Sequence, residues 1–391
     1  MELIEVSPGN ARLEKDFLHF PLEIYRNDPH WIRPLDKDVA LVFDPQKNPC
    51  FQHGGLTRWL LKDAQGKTVG RIAVFYDERT AQAGNEQPTG GLGFFECIDD
   101  QAAANRLFEA GKAWLQSKGM EAMDGPVNFG DRARWWGLLV KGFQDPNYCT
   151  NYNPPYYQAL FEGYGFQDYF QQYTYHRRID GPRLGEAFYA KAERLRRNPA
   201  YTFRHIQKSR LEHYAEQFRT VYNAGWVKHA GVAEMSPEEA RALLAQLKPV
   251  IDERLIWFAY YNDSPIAFIV MIPELNQLFR FVNGKLNWWG KLKFVYHRWR
   301  GHGKKILGLV VGVVPRFHGR GLESALIAEF SRVAYDQSFP YEVLEFNWVG
   351  DFHPTMMHVY ENLEAEISKV HITYRKLFDP EKPFKRHPVI K

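Results

Sequence analysis

Cysteine is scarce in this chain of 391 residues: there are three, Cys50, Cys97 and Cys149, never in a Cys-x-x-Cys arrangement. An odd, dispersed set excludes a disulfide framework and a zinc ribbon, and it suits a reducing cytoplasm. Long apolar runs are missing too. Nowhere do about 18 consecutive apolar residues occur. The opening MELIEVSPGNARLEKDF lacks the basic-then-apolar order of a secretion signal, so the cytoplasm is the expected location. Charge of one sign is not in excess: 50 Lys and Arg stand against 46 Asp and Glu, and a net +4 makes no case for nucleic acid. No Gly-x-Ser-x-Gly elbow and no Walker loop is present. His353 and His358 are five apart without a third ligand, so no metal is expected.

Aromatic residues, by contrast, are abundant. At 15% of the chain, with 11 Trp, 21 Tyr and 28 Phe, they imply large apolar cavities or contact surfaces as well as a packed core. The length suits two domains.

An internal repeat supports that division. Pro155 to Glu162 aligns with Pro354 to Glu361 at an offset of 199, and Thr174-Tyr175 then meets Thr373-Tyr374. Each segment reads as a proline-started helix followed by a strand, Tyr169 to Arg178 in one and Lys369 to Phe378 in the other. Upstream, Arg58 to Asp63 with Lys67 to Tyr76, and Leu255 to Tyr261 with Ile266 to Met271, form two hairpins. The order is hairpin, strand, helix, strand, helix, strand, twice. Ile179 to Leu184 is the expected joint, giving domains 1–180 and 181–391. Gly185 to Gln217 reads as a long basic helical region, broken near Asn198-Pro199.

Between Leu307 and Ile327 the chain reads LGLVVGVVPRFHGRGLESALI. A β-branched run, a proline, a Gly-Arg-Gly loop and an amphipathic stretch predict a strand turning into a helix N-terminus. Backbone N–H groups there lack internal partners and can donate to a pyrophosphate. Val313-Val314-Pro315 followed by His318-Gly319-Arg320-Gly321 resembles the acyl-CoA loop of the GNAT acyltransferases. His318 replaces their usual Arg or Gln, and Glu323 stands where a small residue is expected.

That resemblance implies an α+β fold of two tandem GNAT-like domains, each a mixed, mostly antiparallel sheet with flanking helices. The first half has Glu96, Asp99 and Asp100 where the phosphate loop should be, which implies a degenerate domain without cofactor. In the second half the resemblance places the cofactor at Val313, Val314, His318, Gly319, Arg320, Gly321 and Asn347, with Arg316 adding positive charge. Glu345 and Asn347 are two apart on the strand expected from Tyr341 to Val349 and share a face. Glu345 is then the candidate base, against the alternative of a satisfied strand carboxylate. Tyr360 stands where these enzymes carry the tyrosine that protonates the departing sulfur. Its repeat-mate is Phe161.

The run GPVNFG…GLLVKGF…YNPPYY…GF is also similar to a bacterial family of tandem GNAT-like proteins that includes members linked to ceramide synthesis. The implied activity is transfer of an acyl group from acetyl-CoA, a longer acyl-CoA or a carrier protein to a small-molecule or lipid amine. The alternative is a ligand-binding or scaffold protein built from two degenerate domains.

Two segments lie outside the repeat. Gly130 to Tyr152 is an insertion that reads equally as a binding loop or as a lid over its own core. Gly284 to Lys305 has seven Lys or Arg, no acid and five aromatics, Trp288, Trp289, Phe294, Tyr296 and Trp299. That composition suits a membrane-surface segment at the inner membrane face and equally a nucleic-acid contact; the near-neutral charge elsewhere favours a mouth for an apolar acyl chain or lipid acceptor over nucleic acid. The alternative reading packs the aromatics inward and solvates the lysines.

Overall fold

The computed structural model describes residues 1–226 and 234–390. The first half runs β1 (Glu2–Glu5), α1 (Ala11–His19), α2 (Pro21–Ile24), α3 (Asp36–Val42), β2 (Gly54–Lys62), β3 (Thr68–Asp77), α4 (Glu78–Ala81), β4 (Thr89–Cys97) and α5 (Gln101–Ser117). It ends with β5 (Ala122–Gly125), β6 (Leu138–Lys141), α6 (Tyr157–Tyr164) and β7 (Gln167–Arg178). The second half runs α7 (Glu186–Arg196), β8 (Tyr201–His205), α8 (Leu211–Trp226), α9 (Pro237–Leu247), β9 (Ile256–Tyr261), β10 (Ser264–Pro273), α10 (Asn276–Phe279) and α11 (Trp288–Trp299). It closes with β11 (Lys305–Val313), α12 (Leu322–Ala334), β12 (Val343–Phe346), β13 (Val349–Gly350), α13 (Pro354–Asn362) and β14 (Glu366–Leu377).

Both expected hairpins form, β2 with β3 and β9 with β10. The second closes through Asn262 and Asp263 at φ of 47° and 58°, the left-handed pair that a two-residue turn needs to match strand twist. The long helical region expected from Gly185 to Gln217 does not survive intact. Tyr201–His205 is an edge strand paired with β9, because alternating Tyr201 and Phe203 cover the same sheet face that α7 and α12 pack on. The strand expected from Tyr341 to Val349 breaks at Asn347 and Trp348, leaving β12 and β13 to pair separately with β7.

All strands join one sheet in the order β1-β2-β3-β4-β5-β14-β7-β12-β11-β10-β9-β8, with β6 and β13 beside it. The final strand of each half is exchanged. β14 pairs with β5 of the first half, and β7 pairs with β12 of the second. Between them β7 and β14 run antiparallel from Glu366 opposite His176 to Arg375 opposite Gln167. The cores follow the exchange: Ile372 and Tyr374 are buried with Phe95, Phe108 and Phe161 of the first half, and Tyr175 with Leu344 and Phe346 of the second. Burying such side chains stabilises each by about 1.5–3 kcal/mol, so each half draws part of its core from the other.

Candidate active site

β11 and β12 run parallel from Lys305 opposite Val343 to Gly308 opposite Phe346, and then part. On the other side of β11 the ladder to β10 shifts between Val270 and Met271, leaving Leu309 without an opposite residue. A bulge bends its strand, and here it turns β11 away from β12. The result is a cleft of about 510 Å³, lined by Val270, Met271, Val310, Phe346, Met356 and Tyr360 among others. Beyond Gly308, the side of β11 that faced β12 has no strand against it among the described residues. Its amide groups can therefore pair with an extended, amide-containing ligand as a strand would.

The turn after β11 has the expected form. Pro315–Phe317 make one tight turn, Gly319 and Gly321 take φ of 71° and 83°, and α12 starts at Leu322. No side chain among the described residues caps that helix, which leaves its first N–H groups to an anion. Val313 and His318 line the cleft. The His318 ring nitrogen Nε2 is 3.0 Å from the Val313 carbonyl oxygen. Val314 is tied into the sheet by its N–H, 2.8 Å from the Ile266 oxygen. Arg316 and Arg320 sit over the Phe317 ring, 4.9 and 5.2 Å from its centroid, and flank the helix start with positive charge. Glu323, in the first turn of α12, also faces the cleft.

The matching place in the first half is built differently. Asp100 caps α5 by accepting from Ala102 N–H at 2.9 Å, so a carboxylate already fills the anion position. The wedge beyond the short β4–β5 pairing is narrowed by the insertion to a cavity of about 80 Å³, lined by Phe94, Glu96, Pro126, Trp135 and Leu138 among others. Trp135 packs on Phe94 with centroids 5.4 Å apart, and Asn48 Nδ2 donates to the Phe129 oxygen at 2.9 Å. Gly130 to Tyr152 thus both packs on the core and lines a cavity, through Trp135, Leu138 and Asn151, as each of its two readings expects.

Tyr360 projects from α13 into the cleft and packs at a tilt on Phe346 (4.6 Å) and on Tyr175 of the exchanged strand β7 (5.0 Å). Burial, with Tyr175 adding to it, pushes its pKa up to about 12. A hydroxyl in that range stays protonated at neutral pH and serves as a donor.

Glu345 is elsewhere. Side chains alternate along a strand, and Phe346 takes the cleft face while Glu345 turns to the opposite one. There it is 2% exposed, with Lys305 Nζ 2.8 Å from Oε2, Lys369 Nζ on Oε1 and Ser368 Oγ 3.0 Å away. Burial alone would raise its pKa, but Lys369 and Lys305 outweigh it and hold the carboxyl at about 2. A carboxylate so stabilised is a poor proton acceptor at neutral pH, and the ion-paired strand carboxylate is the reading this geometry supports. Asn347 does not line the cleft either. Its N–H extends the ladder to the Gly308 oxygen (2.9 Å), and its side-chain oxygen accepts from Trp348 N–H (3.1 Å).

One cleft residue was missed as a proton acceptor. His353 precedes α13 and lines the cleft, and its Nδ1 is buried without a hydrogen-bond partner among the described residues. Away from the cleft, Cys50, His53 and Asp77 bring ligand-type atoms within 4.8 Å of one another. His53 Nδ1 is already paired with Asp77 at 2.6 Å, and burial, then Asp77, push the Cys50 thiol pKa up, away from the thiolate a metal would bind.

No family model matches the chain. Its architecture does have counterparts among solved structures. A tandem GNAT protein from the clavulanic acid biosynthesis pathway superposes with a TM-score of 0.54 at 11% identity, covering 97% of this chain and 99% of that one. This chain has a tandem GNAT fold. A second match, the GCN5-related glucosamine N-acetyltransferase region of a fungal GH3 β-N-acetylglucosaminidase, has a TM-score of 0.55 at 13% identity, covering 96% of this chain and 38% of that one. By sequence, the tandem GNAT chain is 28% identical to the bacterial ceramide synthase of Caulobacter vibrioides (strain NA1000 / CB15N), over 93% of this chain and 94% of that protein. It is 27% identical to protein YghO of Escherichia coli (strain K12), over 93% and 92%.

Proposed function

We propose that this protein transfers an acyl group from a phosphopantetheine thioester, acyl-CoA or acyl carrier protein, to the amine of a lipid. The observation that carries this is the unpaired side of β11 opening on an apolar cleft that holds Tyr360. The pantetheine arm would run along β11 as an added strand, with its diphosphate at the uncapped start of α12 between Arg316 and Arg320. The carboxylate cap at the start of α5 and the small size of the first-half cavity support a single donor site, in the second half. The apolar lining suits a long acyl chain or a long-chain amine, in keeping with the name of the Caulobacter relative.

His353 Nδ1, with no other partner, accepts the proton of the attacking amine. Free N–H groups of β11 stabilise the oxyanion as the new C–N bond forms. Tyr360 protonates the thiolate released when the C–S bond breaks.

The test follows release of free thiol with a thiol-reactive dye, and amide product by mass spectrometry, for short- and long-chain acyl-CoA against sphingoid and short amines. Thiol release with a long-chain amine, lost in Tyr360→Phe, is the expected result. No release from any pair, together with no thermal shift by CoA, overturns the proposal.

A further inference from the structure

The excursion between β10 and β11 contains a helix with nothing packed on one face among the described residues. On α11, Trp288, Trp289, Leu292, Val295, Tyr296 and Trp299 are 64, 66, 45, 62, 54 and 79% exposed. At about 100° per residue these six fall within an arc of about 120°. Lys291 and Arg298 border the arc on one side, and Lys293 and Arg300 on the other. The opposite side is anchored: Phe294 packs on Phe279 with centroids 5.4 Å apart, and His297 stacks on Phe281 at 3.6 Å. The exposed face is therefore presented by a fixed helix. Of the two sequence readings, inward-packed aromatics hold for Phe294 alone.

Charge says what covers that face. Seven cations and no acid lie in Gly284 to Lys305, so the chain's net +4 becomes −3 once the segment is set aside. Lys285, Lys291, Lys293 and Arg300 make no ion pair among the described residues. A groove of about 280 Å³, lined by Arg33, Lys285, Trp289 and Lys293 among others, opens at the start of the helix. A second copy of the chain would bring the same cations face to face, because a two-fold interface is self-complementary.

We propose that α11 is an interfacial anchor seating the protein on bilayers rich in anionic phospholipid. The three tryptophans enter the headgroup–acyl boundary, and the flanking lysines and arginines meet the phosphates. Gly308, where β11 first lines the cleft, is three residues beyond Lys305, about 10 Å along the strand. Apolar substrates taken from the bilayer would thus have a short path to the cleft. The anchor does not depend on the catalytic reading, and its test uses no substrate.

The experiment is vesicle flotation of the full chain with phosphatidylcholine alone and with about one third phosphatidylglycerol, at low salt and at about 0.5 M salt. Wild type should float with anionic vesicles at least about tenfold more than with neutral ones, with salt reducing but not abolishing binding. Trp288→Ala/Trp289→Ala/Trp299→Ala should lose the salt-resistant part, and Lys285→Glu/Lys291→Glu/Lys293→Glu the salt-sensitive part. Both should melt as wild type does, since the changed side chains lie at the surface. Failure of wild type to bind anionic vesicles at low salt overturns the anchor. So does wild-type binding by both variants, or a wild-type dimer that the tryptophan variant turns to monomer while vesicles stay unbound.

Discussion

Lys305 Nζ donates to Glu345 Oε2 at 2.8 Å across the parallel strands β11 and β12, on the sheet face away from the cleft. With Lys369 on the other oxygen, one carboxylate compensates two ammonium groups in the interior.

Removing that charge leaves both lysines unpaired, so Glu345→Gln should lower stability by about 3–5 kcal/mol, read from denaturant midpoints. Turnover per folded molecule should keep its wild-type pH profile. An unchanged midpoint with turnover abolished would return Glu345 to the role of base.

Tyr360→Phe keeps the ring packed on Phe346 and deletes only the donor. The expected effect is a fall in kcat of about 10²-fold or more with little change in KM or melting temperature. His353→Ala should instead lower kcat by about 10²-fold. Rescue by exogenous imidazole would mark it as a proton acceptor, and a full-rate His353→Ala enzyme would exclude it.

Glu323 faces the cleft beside the place assigned to the diphosphate, where like charges repel. Glu323→Gly should tighten CoA binding several-fold in calorimetric titration of the full chain. Equal or weaker binding would show that the carboxylate serves a partner other than the phosphates.

Acid should weaken the fold in two stages. Burial lowers the pKa of His371 to about 4, and its Nε2 bonds the Asn151 oxygen at 3.0 Å. Between about pH 6.5 and 4 the unfolded chain therefore binds a proton that the folded one refuses, at a cost of at most about 3 kcal/mol. Glu345 acts lower. Its folded pKa of about 2 lies below the ordinary glutamate value, so its contribution holds above that value and is lost as pH falls towards 2. His371→Gln should flatten the first stage in denaturant titrations across pH. A wild-type midpoint constant from pH 6.5 to 4 would contradict this.

The repeat was legible because hydrophobic periodicity and turn residues are local. The offset of 199 read from Pro155 and Pro354 also relates the bounds of β7, Gln167–Arg178, to those of β14, Glu366–Leu377. Their exchange was not legible, since two strands of the same pattern each fit either slot, and only tertiary packing distinguishes the slots. The glycine turn at 319–321 was readable because positive φ selects glycine. Which of its two readings Glu345 follows was not legible, for a different reason. Alternation assigns a residue to one of two faces, but which face opens on the cleft depends on the splay, and the partners Lys305 and Lys369 come from other strands. His353 was weighed as a metal ligand, and nothing local marks its Nδ1 as unpartnered.

The exchanged strands also bear on how such a chain is made. β14 follows every other strand in sequence yet sits between β5 and β7, in the middle of the sheet. Until it has been synthesised, β5 has an open edge and the first half lacks Ile372 and Tyr374 from its core. The first half therefore cannot reach its native form ahead of the second, as an ordinary tandem domain does during translation. Contacts spanning some 250 residues, such as Arg375 to Asp124, put this chain among slow folders with an exposed strand edge for most of its synthesis. Two domains by ancestry have become one unit of assembly.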